Sequence, residues 1–269
     1  MRAVAARSGN TAARAGYLKW MSTHMRRFTV LALVALPLLG ACKSSNPYQG
    51  MDAPQLMALG RAKFEARDWD DAIKALDRLI LSFGDATEVA DARLMMARAY
   101  AGKGDHLTAR SEFQRFLDRF PGHAEAPSAS LGVCSSLVAL SPTPQRDQSY
   151  TNEAITLCRN VVVDHAGTPQ AEEAARLAAE MRLKLAQKDF LAADFYFRRK
   201  LWDSAIVYYE FVVALYGDTE FAPRALLGIY RANLAIGYQD LADEAKKRLL
   251  DAYPDSPAAA ELRVNGAGA

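Results

Sequence analysis

The sequence has few of the residues and patterns by which catalytic or metal sites are usually recognised. It has three cysteines and four histidines in 269 residues. One histidine, His24, lies near the N-terminus, and the others, His106, His123 and His165, lie near turns without metal-ligand spacing. A zinc site needs three or four converging ligands. A Gly-rich phosphate loop, a nucleophile elbow and a zinc-protease helix motif are also missing. We therefore expect no metal, no cofactor and no catalytic centre.

A surplus of charge and a long apolar run are missing as well. The formal net charge is +2, but residues 1–41 carry six Lys or Arg and no acidic residue, which leaves 27 basic and 31 acidic residues in the remainder. This slight excess of acidic residues does not favour binding to nucleic acid, which requires an excess of basic residues. The apolar run at 28–39 has 12 residues, whereas a membrane-spanning helix needs about 20.

That short run has the features of a secretion signal with a site for lipid attachment. It follows Arg26-Arg27 and ends in Leu39-Gly40-Ala41-Cys42, the order of basic, apolar and small residues found in signal peptides. The ending resembles a bacterial lipobox, which implies cleavage between Ala41 and Cys42 and acylation of Cys42. Two or more acyl chains anchor a protein stably. The alternative is an ordinary secretory signal with a chance cysteine.

We divide the chain into four segments. Residues 1–41 are a leader and signal peptide, with Met25 as the expected start of translation, and 42–51 are a lipidated polar tether. Residues 52–257 form the folded body, and 258–269 form a C-terminal tail. By resemblance to enterobacterial sorting, Lys43 in place of an aspartate favours the outer membrane. We expect a lipid-anchored protein on its periplasmic face.

The folded body contains a repeat of helical pairs. Gly60, Ala72 and Gly84 recur 37 positions later as Ala97, Ala109 and Pro121. Apolar residues within each unit follow the 3.6-residue helical period, and repeats of 20–50 residues are typical of solenoids. The small residues at which the second helices are expected to pack are Ala72, Ala109, Ala154, Ala205 and Ala242.

This pattern resembles the tetratricopeptide repeat. The residues that carry the resemblance include Leu59-Gly60, Asp68-Trp69 and Asp71-Ala72-Ile73 in the first unit, and Met96-Ala97 and Gly104-Asp105 in the second. The resemblance implies an all-α solenoid of about five helical hairpins with a concave binding surface. Two spacings depart from 37: a proline-containing loop at 141–148 explains one of 45, and a long helix from Pro169 to about Arg199 explains one of 51. That helix would have roughly 30 residues and a length of about 45 Å.

Two cysteines and an aromatic cluster leave alternatives open. Cys134 and Cys158 lie on apolar faces of the third unit, and their separation of 24 residues does not decide between free thiols and a disulfide. We expect buried free thiols, with a disulfide as the alternative. Aromatic residues also cluster at 195–197 and 208–216. We expect most of them in the core and a few exposed to a partner, and we interpret the basic residues 198–200 as a helix C-terminal charge cluster, with a partner contact as the alternative.

A lipobox followed by five such repeats resembles the BamD family, also called ComL or YfiO. The most specific residues are the unit from Gly60 to Ile80, the Arg146-Asp147-Gln148 loop, and the stretch from Leu185-Ala186 to Tyr196, Arg199 and Trp202. The sequence departs from the family pattern just before the loop, at Ser141-Pro142-Thr143-Pro144. The resemblance covers about residues 50–257.

The resemblance implies a role in the assembly of outer-membrane β-barrel proteins. The implied partners are the periplasmic domains of the BamA-like barrel insertase at the C-terminal repeats, unfolded barrel precursors at the N-terminal repeats, and other assembly lipoproteins. The implied partner-binding residues are Arg199, Arg146, Asp147 and Gln148, with Arg199 on the insertase side. The alternatives are another periplasmic repeat adaptor, for envelope constriction or secretin assembly, and a cell-wall hydrolase, for which the sequence supplies no second domain.

Overall fold

The computed structural model describes residues 47–266, and residues from Met51 onward form one compact unit. Eleven α-helices and no strand occur in this part of the chain. The helices are α1 Ala53–Glu65, α2 Trp69–Ser82, α3 Val89–Lys103, α4 His106–Arg119, α5 Ala126–Leu140, α6 Ser149–Asp164, α7 Pro169–Arg198, α8 Trp202–Leu215, α9 Phe221–Ile236, α10 Gln239–Ala252 and α11 Pro257–Gly266. The predicted all-α solenoid is confirmed, while the lipobox residues Ala41 and Cys42 lie outside the described residues.

The helices form five antiparallel hairpins that stack side by side. Each odd-numbered helix from α1 to α9 packs against the helix that follows it, and also against the neighbouring odd-numbered helices. The even-numbered helices make no such contacts with one another within the described chain. The first helices of the hairpins therefore form one layer and the second helices form the other, as in other helical solenoids. No helix among residues 47–266 is both long and apolar enough to span a bilayer.

The same turn joins the two helices in four of the hairpins. A residue with positive φ, which is Arg67, Gly104, Lys200 or Gly237, follows the first helix. The next backbone N–H donates to the carbonyl five residues earlier, as from Asp68 to Lys63 at 2.9 Å. This arrangement satisfies carbonyl groups that the end of a helix leaves free. It also fixes the direction in which the second helix returns.

Close approach of the helices depends on small residues in the first layer. A Cβ atom placed on Gly60 would lie 2.6 Å from the Leu76 side chain, and one on Gly132 would lie 2.6 Å from the Phe113 ring. Such distances are shorter than real contacts, so any larger side chain would push the helices apart. The small residue at position 60 therefore lets the partner helix approach closely.

The third hairpin contains a disulfide bond between Cys134 on α5 and Cys158 on α6, with α-carbons 5.0 Å apart. Both cysteines are fully buried. Our expectation of free thiols was therefore wrong. The packing of the two helices places the α-carbons within the range that a disulfide requires, in spite of the loop of residues 141–148 between them.

The long helix α7 has 30 residues and begins at Pro169, as predicted. The Thr168 side chain accepts a hydrogen bond from the backbone N–H of Ala171 at 3.2 Å and so caps the first turn. The helix packs against α5, α6, α8 and α9. It therefore connects the third hairpin to the fourth and fifth.

An eleventh helix covers most of the segment that we assigned to a C-terminal tail. Ala258, Ala259 and Leu262 of α11 are buried in the same apolar cluster as α8 and α9. Arg231 of α9 forms an ion pair with Glu261 on the exposed side of this contact. The helix thus covers apolar surface that the last hairpin would otherwise expose, as terminal helices of solenoids do.

Candidate functional site

The first candidate site is a row of partly exposed aromatic side chains shared by α7 and α8. Phe195 and Tyr196 pack edge to face at 5.5 Å between ring centroids, and Tyr196 stacks on Tyr208 at 5.0 Å. Tyr208 in turn contacts Phe211 at 6.4 Å. Phe195 is 44% exposed and Phe211 is 53% exposed. We call these four residues together with Arg199 the aromatic strip.

Arg199 lies at one end of this strip. Its guanidinium carbon lies 4.6 Å above the ring of Phe195, which is one helical turn away. At this distance the positive charge makes a favourable cation–π interaction with the ring. The side chain is exposed, and no carboxylate among residues 47–266 pairs with it. Arg199 therefore offers an unneutralised charge beside exposed rings. Aromatic and arginine side chains together are the typical centre of a protein interface.

The helical register decides which aromatic residues are exposed. Ala205, Tyr209 and Val212 point into the core, so Tyr208 and Phe211 lie on the flank of α8. The hydroxyl of Tyr208 interacts chiefly with Tyr196, and this neighbour raises the pKa of Tyr208. Tyr208 thus remains a neutral hydrogen-bond donor. The expectation that most aromatic residues here pack inward and a few remain exposed agrees with these positions.

Polar contacts also join α7 to the C-terminal end of α8 and the residues that follow it, on the N-terminal side of Phe195 along α7. The Tyr216 hydroxyl donates to a carboxylate oxygen of Asp189 at 3.1 Å. Arg182 pairs with Asp218 at 2.8 Å and donates to the Leu215 carbonyl at 2.7 Å. Arg182 lowers the pKa of Asp218 mainly through this hydrogen bond. The two helices are therefore joined at several points, and the strip has a rigid support.

A second candidate region is the loop that joins α5 to α6. Gln148 at its end is buried, with 5% of its surface exposed. Its side-chain amide donates to the carbonyls of Thr143 at 2.8 Å and Arg146 at 2.9 Å, and its carbonyl accepts from Thr151 at 2.7 Å. Gln148 therefore holds the loop in one conformation, and its polar atoms are already occupied.

Arg146 and Asp147 are both exposed, as are Thr143 and Gln145 of the same loop. Asp147 accepts a hydrogen bond from the backbone N–H of Ser149 at 3.0 Å. The Ser149 side chain lowers the pKa of Asp147 most, and this backbone contact lowers it further. The loop is fastened to the long helix by Lys184, which donates to the Ser141 hydroxyl at 2.8 Å. Lys184 and Arg199 are 15 residues apart on α7 and its C-cap, a distance of about 22 Å along a helix.

Comparison with known proteins identifies the family. A family model described as "YfiO: Outer membrane lipoprotein" matches residues 49–249. The chain belongs to the YfiO family. Its similar relatives include the outer membrane protein assembly factor BamD of Vibrio cholerae serotype O1, which is 26% identical over 243 residues, with 86% of this chain and all of that protein covered. BamD of Xylella fastidiosa strain 9a5c is 25% identical, with 87% and 84% covered.

Solved structures of tetratricopeptide proteins are also similar to this YfiO-family chain. The TPR2AB domain of yeast Sti1 in complex with pHSP90 is 14% identical, with a TM-score of 0.43 and coverage of 75% of this chain and 78% of that chain. A thermophilic TPR protein of Thermus thermophilus is 18% identical, with a TM-score of 0.33 and coverage of 80% and 97%.

The residues that the resemblance singled out lie in two places on this YfiO-family chain. Arg199 belongs to the aromatic strip, while Arg146, Asp147 and Gln148 belong to the loop. Both regions contact the long helix α7, the loop through Lys184 and the strip at the C-terminal end. They are separated along the length of that helix. Gln148 is internal, so of the three predicted loop residues Arg146 and Asp147 present side chains to a partner. The predicted cleavage and lipidation residues, Ala41 and Cys42, lie outside the described part.

The sequence did not predict two features of the structure. The disulfide was not expected, and nothing in the local pattern marked Arg224, which stacks over Phe190 at 4.5 Å on the first-helix layer. Within residues 47–266 no group of three or more His, Cys, Asp and Glu side chains could hold a metal ion. The features that this part of the chain does offer, the aromatic strip and the loop, suit contacts with other macromolecules.

Proposed function

We propose that this chain is an assembly factor for outer-membrane proteins that acts as a non-catalytic scaffold. In this proposal the C-terminal hairpins hold the periplasmic domains of the barrel insertase, and the N-terminal hairpins receive unfolded precursors. Membership of the YfiO family over residues 49–249 supports the assembly role. The observation on which the insertase contact depends is the exposed aromatic strip with Arg199 at its end.

The chemistry of the strip suits a stable partner surface. Exposed rings on a rigid helical support bury apolar area at a small cost in side-chain entropy, because each ring has few rotatable bonds. The free guanidinium of Arg199 matches a carboxylate on the partner, which it can bind through two parallel hydrogen bonds. A partner domain that covers the rings and supplies one acidic residue fits these features.

The experiment is a pull-down of the insertase from solubilised outer membranes with the full chain and an Arg199→Glu variant. We expect recovery of the insertase to fall at least about tenfold. In the variant a glutamate would face the partner's carboxylate and repel it, where Arg199 would bind it. Arg119→Glu is the matched control, because Arg119 also stacks on a phenylalanine, Phe120, but in the second hairpin. Equal recovery with Arg199→Glu, or recovery of a secretin or a cell-wall synthase in place of the insertase, contradicts the proposal.

The N-terminal part of the proposal is tested with a photo-crosslinker at Ala58, an exposed position on α1. Crosslinks to newly secreted barrel precursors are expected there. The comparison position is Ala252, which is exposed at the end of α10 in the fifth hairpin. Crosslinks of equal strength at both positions contradict the assignment of precursors to the N-terminal hairpins.

We also propose that acyl chains on Cys42 tether the scaffold to the periplasmic face of the outer membrane. Two or more acyl chains suffice for stable anchoring. Replacement of Cys42 by Ser should abolish incorporation of labelled palmitate and release the chain from the membrane fraction. Labelled palmitate on the Cys42→Ser variant, or unchanged fractionation, contradicts the anchor.

A further inference from the structure

A groove separate from the aromatic strip runs along the first-helix layer of the fourth and fifth hairpins. Side chains from α7, α8, α9 and α11 line it, and its volume is about 460 Å³. Its apolar walls are formed by Phe190, Phe197 and Leu227. A groove of this size, with rings on its walls, has room for one or two side chains of a peptide.

Arg224 supplies an unneutralised positive charge in this groove. Its guanidinium carbon lies 4.5 Å above the Phe190 ring and 5.1 Å above the Phe221 ring. No carboxylate in the described chain pairs with it, whereas Asp194 pairs with Arg198 at 3.3 Å and Glu261 pairs with Arg231. Stacking on two rings holds the guanidinium in place while its N–H groups remain free.

Tyr209 supplies, through its hydroxyl, a second donor that no side chain of the described residues occupies. Only 3% of its surface is exposed, and no hydrogen bond joins its hydroxyl to any residue of the described part. Burial raises the pKa of Tyr209 to about 12, and the groove residues Asp194, Arg231 and Arg224 also act on the hydroxyl. The hydroxyl therefore lies among the charged residues of the groove and is protonated at neutral pH. The buried polar side-chain atoms without a partner in the described chain are Arg93 Nε and Glu112 Oε2. The Tyr209 hydroxyl is not among them, so it opens into the groove, where a ligand that accepts its hydrogen bond can reach it.

The backbone of α9 is shaped to hold Tyr209 in this position. A Cβ atom on Gly228 would lie 2.5 Å from the Tyr209 ring. Ring contacts with Phe190 at 5.5 Å and with Phe197 at 6.3 Å close around the tyrosine. The donor thus has little freedom to turn away, and the groove is organised before any ligand arrives.

We propose that this groove binds an extended polypeptide segment in which an acidic side chain follows an aromatic residue. The acidic carboxylate accepts hydrogen bonds from Arg224 and from the Tyr209 hydroxyl. The aromatic ring packs between Phe190, Phe197 and Leu227. This inference stands on the geometry of the groove and does not depend on the proposed function.

The positions of the Asp194 and Glu261 carboxylates indicate that the ligand passes through the groove. They do not favour a chain terminus that ends inside it. Asp194 lies on α7 and Glu261 on α11, and these helices pack on the two sides of α9. Carboxylate oxygens on both sides can accept from backbone N–H groups before and after the bound residue. A free chain terminus would leave one side without such a donor.

The test measures binding of fluorescent peptides to the full chain by anisotropy. The probe is an acetylated and amidated peptide with the core Gly-Phe-Glu-Gly, and its matched peptides carry Phe-Gln or Ala-Glu in place of Phe-Glu. A third matched peptide lacks the glutamate and ends in Phe with a free carboxylate. We expect the Phe-Glu peptide to bind at least about tenfold more tightly than either amidated control, because it alone makes both contacts.

Variants of the chain test the same contacts from the protein side. Arg224→Gln and Tyr209→Phe should each weaken binding of the Phe-Glu peptide by about tenfold while leaving the Phe-Gln affinity unchanged. Arg263→Gln, on the exposed side of α11, is the control. Equal affinities for Phe-Glu and Phe-Gln peptides, tighter binding of the free-carboxylate peptide, or unchanged affinity in both variants would overturn the proposal. The peptide comparison on the unmodified chain remains decisive even where a variant fails to fold.

Discussion

Cys134 and Cys158 occupy the same pair of positions in the third hairpin that Gly60 and Leu76 occupy in the first. Gly60 and Leu76 are 16 residues apart, and the cysteines are 24 apart because the loop of residues 141–148 adds eight. In the first hairpin these positions are in direct contact, and in the third their α-carbons are 5.0 Å apart. The repeat itself therefore creates the geometry that the disulfide uses.

Removal of this disulfide should lower the stability of the folded chain. Loop closure over the 24-residue separation corresponds to about 3 kcal/mol, because the crosslink restricts the unfolded chain. We expect the Cys134→Ala/Cys158→Ala variant to unfold at a lower urea concentration than the oxidised parent. The measurement is urea unfolding followed by circular dichroism. A parent chain unfolded in the presence of reductant should behave like the double variant, and the double variant itself should not respond to reductant.

The order of the helices could be predicted from the sequence because each hairpin repeats the same small residues and turn residues. The start of α7 at Pro169 followed from a capping threonine and a proline at the first helical position. The disulfide could have been predicted too, by removing the eight-residue loop and aligning Cys134 with Gly60. Without that alignment, separation along the chain says little about distance in space, and the prediction of free thiols failed.

Gly228 should be intolerant of even one added methyl group. A Cβ atom there would lie 2.5 Å from the Tyr209 ring, which is itself enclosed by Phe190 and Phe197. We expect Gly228→Ala to reduce the free energy of unfolding by about 1–3 kcal/mol, as overpacking of a filled core does. Gly122→Ala is the control, because no atom lies within 4 Å of its added Cβ. Equal effects of the two changes in thermal unfolding would show that the Tyr209 contact can relax.

Gln148 should stabilise the loop of residues 141–148 and not contact a partner directly. Gln148→Ala removes hydrogen bonds to the carbonyls of Thr143 and Arg146 and should cost about 1–3 kcal/mol for the groups left unsatisfied. Hydrogen exchange of residues 141–148 should become faster. Asp147→Ala, in the same loop but exposed, should change exchange much less, and an equally large effect there would contradict the assignment.

The sites were harder to predict than the fold, for a physical reason. Exposure of Phe195 depends on the rotation of α7, which the packing of Phe190 and Ala193 decides. Exposure of Phe211 depends on the rotation of α8, which the packing of Tyr209 and Val212 decides. The groove around Arg224 is assembled from four helices, one of which, α11, we had placed in a tail. Local periodicity predicts which face of a helix is buried, but it does not predict which residues of distant helices meet.

Alkaline pH should destabilise the chain through two tyrosines. Burial raises the pKa of Tyr209 and of Tyr216 to about 12, above the ordinary value of about 10. Between pH 10 and 12 the unfolded chain therefore binds fewer protons than the folded chain, so the free energy of unfolding falls as pH rises. Below pH 10 both states keep these protons, and the contribution is constant. Each tyrosine contributes a slope of at most about 1.4 kcal/mol per pH unit.

Urea unfolding at pH 9, 10 and 11 measures this loss. Tyr216→Phe keeps the ring but removes the hydroxyl that donates to Asp189, so its stability should fall less steeply above pH 10 than that of the parent chain. Lysines also titrate in this range and contribute to the pH dependence of stability. Tyr150→Phe, at an exposed tyrosine, keeps the same lysines and therefore serves as the control. Tyrosinate absorbance of the folded chain should show late ionisation that Tyr216→Phe reduces. The same slope for all three chains would mean that Tyr216 ionises as readily in the folded state as in the unfolded one.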